Sequence, residues 1–292
     1  MTQIISSLAE VAGRYKVLFC DLWGCVHDGV TPYPDAVGAL QKFRKDGGIV
    51  VLLTNAPRHR ASVGRHLERM GLPRDTWDVI ASSGDSARAA MYRGVVGHKV
   101  WFMGERHDTS FFDPIKVVKD PVAIEQVALE QADGIVCTGP FDPFAPVEDL
   151  RPQLLYAKQQ GLKLLCANPD IVVDRGGKRE WCAGAVARLY EEMGGESLYF
   201  GKPHPAIYDL ARARLAELGA LVPEREILAV GDGIATDVAG AMGEDIDSLF
   251  LTAGLAADDI ALDADSRPDA TALESYVAEH MTSPTYAMGF LR

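Results

Sequence analysis

The sequence predicts an α/β protein with a mostly parallel sheet. Three observations carry that expectation: short runs apolar throughout recur along the chain, amphipathic stretches with helical spacing lie between them, and the two kinds alternate rather than segregate. A run with no polar face suits a strand covered on both sides, as parallel sheets flanked by helices require.

Taken in order, Val17–Asp21 (VLFCD) reads as a buried strand. Asp35–Asp46 reads as a helix, with Val37, Leu40 and Phe43 at helical spacing and Gly47-Gly48 to stop it. Ile49–Leu53 is a second strand, Arg60–Met70 a helix ended by Gly71, Asp78–Ala81 a short strand and Gly84–Tyr92 a helix. Lys99–Met103, Gly134–Thr138 and Lys163–Ala167 are further strands, with helices expected at Ile124–Gln131, Val147–Gln160 and Cys182–Met193. Ser197–Phe200, Ile227–Val230 and Ser248–Leu251 complete the strands, and Pro205–Leu218 is the helix among them. From Ala256 onward the pattern is polar and weak, and is expected to form one helix and a tail.

Composition narrows the class of function. The 292 residues are 48% hydrophobic and 24% charged, as in a soluble globular protein rather than a disordered or coiled-coil one. The 29 basic and 41 acidic side chains leave a formal charge of −12, which disfavours nucleic acid and anionic membrane surfaces as partners. Met1–Lys16 lacks the basic-then-apolar pattern of a secretory signal, and no apolar run approaches the ~20 residues that span a bilayer, so a cytoplasmic location is expected. Cys20, Cys25, Cys137, Cys166 and Cys182 are odd in number and lack CxxC spacing, so free thiols are expected rather than disulfides or zinc.

In an open parallel sheet, chemistry gathers past the carboxyl ends of strands. Four such ends carry notable residues: Asp21 after the first, Thr54-Asn55 after the second, Gly201-Lys202-Pro203 after a third, and Gly231-Asp232-Gly233 with Asp237 after a fourth. Asp21 and Asp232 together would hold a hard cation such as Mg²⁺ through oxygen. Lys202 is a point charge for phosphate, and Thr54 with the amides after it offers donors. Taken singly, each residue reads as a turn, a cap or a solvated lysine. Their conjunction describes a phosphoryl site in which Asp21 attacks phosphorus and water later releases it.

The ordered set Asp21, Thr54-Asn55, Gly201-Lys202-Pro203 and Gly231-Asp232 through Asp237 resembles the four motifs of the haloacid dehalogenase superfamily. Thr54-Asn55, Ala167-Asn168-Pro169-Asp170 and the Gly-Lys-Pro-His-Pro run resemble its class IIA branch of p-nitrophenyl phosphatase-like enzymes. The resemblance implies a Rossmann-like core at residues 1–93 and 196–292, with an α/β cap inserted at 94–195. It implies a Mg²⁺-dependent hydrolase for a small phosphorylated metabolite, and it is compatible with a homodimer. Residue by residue, it makes Asp21 nucleophile and metal ligand, the Trp23 carbonyl and Asp232 the other protein ligands, and Thr54, Asn55 and Lys202 the phosphate binders. Lys202 would also orient Asp21, with Asp237 behind it or behind the metal waters, and Asn168 and Asp170 would face substrate from the cap.

One position departs from that pattern. Phosphatases resembling this one carry Asp two residues after the nucleophile, where this chain has Trp23, which cannot transfer a proton. General acid–base catalysis is typically worth ~10²–10⁴-fold. Three readings follow: His27 stands in as the acid–base group, the substrate has a leaving group that needs no acid, or the protein binds a phosphorylated ligand without hydrolysing it. Attack on a carbon–halogen bond fits less well, because Asp232 and Asp237 complete a metal site that such chemistry does not need.

Overall fold

The computed structural model describes residues 2–105, 110–113, 118, 120–175 and 178–292. Its strands are β1 Gln3–Ile4, β2 Val17–Cys20, β3 Ile49–Thr54, β4 Val79–Ser82, β5 Lys99–Met103, β6 Glu125–Gln126, β7 Gly134–Cys137, β8 Lys163–Cys166, β9 Val172–Arg175, β10 Lys178–Trp181, β11 Glu196–Tyr199, β12 Ile227–Gly231, β13 Asp247–Leu251 and β14 Tyr286–Met288. Its α-helices are α1 Pro34–Lys45, α2 Arg60–Met70, α3 Ser83–Tyr92, α4 Arg151–Gln159, α5 Ala183–Glu192, α6 Pro205–Glu217, α7 Ala239–Gly243 and α8 Ala270–Glu279. The fold is α/β, as expected.

Packing divides the chain into two units, Met1–Thr54 with Gly64–Ala81 and Tyr208–Arg292, and Asn55–Val63 with Ser82–Ile207. The first holds a seven-stranded sheet in the order β1-β14-β13-β12-β2-β3-β4. β2 pairs in parallel with β3 and β12, β12 with β13, and β13 with β14. The chain builds outward from β2 to β3 and β4 on one side, and β12 to β14 lie on the other. The strand order therefore switches between β2 and β12, where open α/β sheets bind ligands. All four residues of β2 are buried, as are all five of β12, which places the switch in the core.

The second unit holds a five-stranded sheet, β11-β8-β7-β5-β6, and the antiparallel pair β9–β10. Alternate residues of its central strands serve opposite faces. Ile135, Cys137, Leu164 and Cys166 pack with α4 and α5, while Val136 and Leu165 pack with Ala87, Ala90 and Met91 of α3.

This packing differs from the expected 94–195 insertion at both edges. α3 covers one face of the smaller sheet, and β11 pairs with β8, so both fall within the second unit. Three elements also differ. The helix expected at Ile124–Gln131 is β6 followed by a single 3₁₀ turn, because Glu125 and Val127 donate to the His98 and Val100 carbonyls at the sheet edge. The helix expected from Val147 starts as a 3₁₀ turn and becomes α-helical at Arg151, where Pro152 suits the first turn. The expected tail contains β14, which inserts between β1 and β13 with all three residues buried. Among the described residues the five cysteines are buried and outside any disulfide, and no helix is long and apolar enough to cross a membrane.

Candidate active site

The switch point brings two carboxylates together within the first unit. β2 and β12 are aligned so that Cys20 lies opposite Val230, and the Asp21 N–H donates to the Val230 carbonyl at 2.8 Å. Asp21 and Asp232 therefore sit just past neighbouring strand ends. Ligand atoms of Asp21, Cys25 and Asp232 all lie within 4.8 Å of one another. The Asp232 carboxylate is 5% exposed; its Oδ2 accepts from the Leu255 N–H at 3.0 Å, and Cys25 Sγ lies 3.9 Å from Oδ1. Gly24 and Gly254 flank it so closely that a Cβ on either would overlap Oδ2.

These residues fit a hard divalent cation. A half-buried carboxylate (Asp21) and a buried one (Asp232) this close repel one another, and a cation between their oxygens would relieve that repulsion. Burial pushes the Cys25 thiol well above its usual range, and the neighbouring Asp232, Asp21 and Asp237 charges add to it. The Asp21 and Asp232 carboxylates supply the oxygen donors that such a cation favours. Asp237 lies in a π-helical turn, Ile234–Val238, 6% exposed, and its Oδ2 accepts from the Gly233 N–H at 3.1 Å. There it braces the loop that presents Asp232.

The loop after Asp21 is held by its own side chains. The Trp23 indole is half-buried, edge-on to the His27 ring at a centroid distance of 5.2 Å. It lies over Gly29, which has φ +88° and where a Cβ would overlap the indole. His27 is 1% exposed and its Nδ1 accepts from the Gly29 N–H at 2.9 Å, which assigns the ring proton to Nε2. Asp28 Oδ1 accepts from the Val30 and Thr31 amides, and those bonds hold its carboxyl below the usual range. His27 and Asp28 thus both shape this loop. At the end of β3, Thr54 is 1% exposed.

The second unit gathers the remaining predicted residues. Lys202 is 2% exposed. The Asn55 side chain brackets its peptide: Oδ1 accepts from the Lys202 N–H at 2.7 Å, and Nδ2 donates to the Lys202 carbonyl at 3.1 Å. The same Nδ2 donates to Asp170 Oδ1 at 2.8 Å. Asn168 is buried and its Oδ1 accepts from the Asp170 N–H at 3.1 Å, an Asx turn that aims the segment. Ser82 caps α3, accepting from the Asp85 N–H at 3.2 Å and donating to the Arg58 carbonyl at 2.7 Å.

Sequence reasoning missed two members of the first cluster. Cys25 lies only four positions beyond Asp21, and that proximity was its sole signal. The Leu255 amide follows Thr252-Ala253-Gly254 after β13, and nothing in those residue types announces a donor to Asp232.

A family model described as haloacid dehalogenase-like hydrolase matches residues 18–116, and one described as HAD-hydrolase-like matches 199–278. The chain is 33% identical to a haloacid dehalogenase-like hydrolase from Brucella suis 1330, with a TM-score of 0.85 over 99% of this chain and 100% of that one. It belongs to the haloacid dehalogenase-like hydrolase family. Within that family it is 26% identical over 256 residues to D-glycerol 3-phosphate phosphatase of Mycobacterium tuberculosis, covering 85% of this chain and 66% of that enzyme's length. A glycerol phosphate phosphatase of the same organism, solved in complex with magnesium, gives a TM-score of 0.63 at 25% identity, over 88% of this chain and 75% of that one. The fold is shared with p-nitrophenyl phosphatase from Archaeoglobus fulgidus, with a TM-score of 0.69 at 21% identity over 94% and 96% of the two chains.

Proposed function

We propose that this family member is a Mg²⁺-dependent phosphatase that acts on a small phosphorylated metabolite through an aspartyl-phosphate. The observation that carries the reading is the pair Asp21 and Asp232, brought within one cation's reach at the strand-order switch. Bound Mg²⁺ would offset the charge between carboxylate and phosphate and stabilise charge on the transferring group.

Asp21 is the nucleophile. One carboxylate oxygen forms a bond to phosphorus while the bond from phosphorus to the leaving oxygen breaks, and that oxygen keeps the electron pair. Water then attacks the phosphorus of the aspartyl-phosphate, which frees inorganic phosphate and restores the carboxylate. Asp21, Asp232 and the Trp23 carbonyl would hold the cation, and Thr54 and Lys202 would bind the phosphoryl oxygens. Asp237, His27 and Asp28 keep their loops in shape. The side chain of Trp23 gives no proton to the departing oxygen. Substrates whose leaving group is stable as an anion, such as acyl phosphates and aryl phosphates, therefore suit this site better than alkyl phosphates.

The test is phosphate release from acyl, aryl and alkyl phosphates, with and without Mg²⁺, with Asp21→Asn as the blank. Mg²⁺-dependent release that is lost in the variant is expected. Release equal in the variant, or none above it on any class, overturns the reading and leaves a phosphate-binding protein.

A further inference from the structure

Asp170, expected to face substrate, has a hydrogen-bond partner within its own unit. It accepts from Asn55 Nδ2 at 2.8 Å, and that amide in turn brackets the Lys202 peptide through both its N–H and its carbonyl. We propose that Asp170 is a positioning residue for Lys202 that acts through Asn55 as a hydrogen-bond acceptor, not through its charge.

Four features of the second unit support this. The segment that carries Asp170 is fixed at its own end, because Asn168 Oδ1 accepts the Asp170 N–H and the Gly184 N–H at the start of α5 donates to the Asp170 carbonyl at 3.1 Å. The Asn55 amide is fully directional: its oxygen faces the N–H and its nitrogen the C=O of one residue, and the second Nδ2 hydrogen is left for Asp170. Gly201, immediately before Lys202, has no Cβ where one would overlap Asn55 Oδ1, so the strand end can close onto the amide. Lys202 itself is 2% exposed, and a long flexible side chain buried on a loop keeps one geometry only when its backbone is held. The chain of contacts thus runs from α5 to Asp170, to Asn55, to the Lys202 backbone. A misplacement of about 1 Å in a group that positions substrate can cost ~10²-fold in rate.

The inference rests on the proposed phosphatase reading for its catalytic consequence, but not for its geometry. The experiment therefore has two readouts: kcat/KM toward p-nitrophenyl phosphate with Mg²⁺, and hydrogen exchange of the Lys202 amide. Asp170→Ala should lower kcat/KM about 10–100-fold and speed Lys202 amide exchange by up to ~10-fold, the worth of one hydrogen bond. Asp170→Asn keeps an acceptor for Asn55 Nδ2 and should recover most of both losses. Equal damage in D170A and D170N would mean that the charge matters, and would return Asp170 to a substrate-facing role. Unchanged Lys202 exchange in D170A would break the link outright. If D170A does not fold, Asn55→Asp reads the same link from its other side. It sets two carboxylates face to face, and the same paired losses are expected; wild-type exchange at Lys202 in N55D overturns the proposal. If the wild type hydrolyses no phosphate ester, the phosphatase reading fails alone, and the exchange data still decide the clamp.

Discussion

Trp23 concentrates the chemistry at the scale of single residues. Its indole is seated on Gly29 and edge-on to His27, so the ring is a fixed part of the loop wall. The nearby imidazole of His27 accepts the Gly29 N–H on Nδ1 and so helps to hold the loop. A site built this way should discriminate by leaving group. We expect acyl and aryl phosphates to be turned over at least ~10²-fold faster than alkyl phosphates, the lower end of what a general acid supplies. Trp23→Asp should narrow that gap by raising alkyl-phosphate hydrolysis, while removal of the indole from Gly29 lowers Tm. No rise in alkyl-phosphate turnover would show that the missing acid does not limit that reaction. Gly254 offers a cleaner probe of the metal site than Gly24, which also has φ +69°. Gly254→Ala pushes on the Asp232 side chain, whose Oδ2 accepts from the Leu255 amide. It should weaken Mg²⁺ affinity about 10–100-fold, as loss of an outer contact to a ligand does, measured by isothermal titration.

At the scale of elements, what was legible depended on whether an element carries its own signal. β2, β7 and β12, and β3 up to Thr54, are apolar because both faces are covered, and they stand within a residue or so of where the sequence puts them. β6 and β14 owe their existence to neighbours. β6 is two residues that complete an edge against β5, and β14 is three residues slotted between β1 and β13, so neither has a period to read. The site divides in the same way. Asp21 and Asp232 were visible because a carboxylate at the end of a buried strand is conspicuous. The role of Asp170 was not, because a hydrogen bond across 115 residues leaves no mark in local spacing. α3 shows local chemistry serving tertiary structure: Ser82 caps the helix with one hydroxyl and with the same oxygen donates to the Arg58 carbonyl. Ser82→Ala should therefore cost more than a surface cap, about 1–2 kcal/mol, read from urea unfolding.

At the scale of the whole molecule, the cation cluster belongs to one packing unit: Asp21, Cys25 and Asp232 all fall in the part that carries the seven-stranded sheet. Metal binding is then linked to the folding of that unit. A ligand that binds only the folded state stabilises it by RT ln(1 + [L]/Kd), or about 2.7 kcal/mol at a hundredfold excess over Kd. On the proposed reading, part of that gain would come from relieving the repulsion between Asp21 and Asp232. Added Mg²⁺ should raise the unfolding temperature by several degrees and increase exchange protection in β2 and β12. Asp232→Asn removes the repulsion together with a ligand oxygen's charge. It should unfold no earlier than the metal-free wild type, and its unfolding temperature should no longer respond to Mg²⁺. A wild type whose stability is indifferent to Mg²⁺ while D232N is plainly less stable would mean that the carboxylate serves the fold through Leu255 rather than a cation. In that case the switch point of the sheet would hold a structural pair.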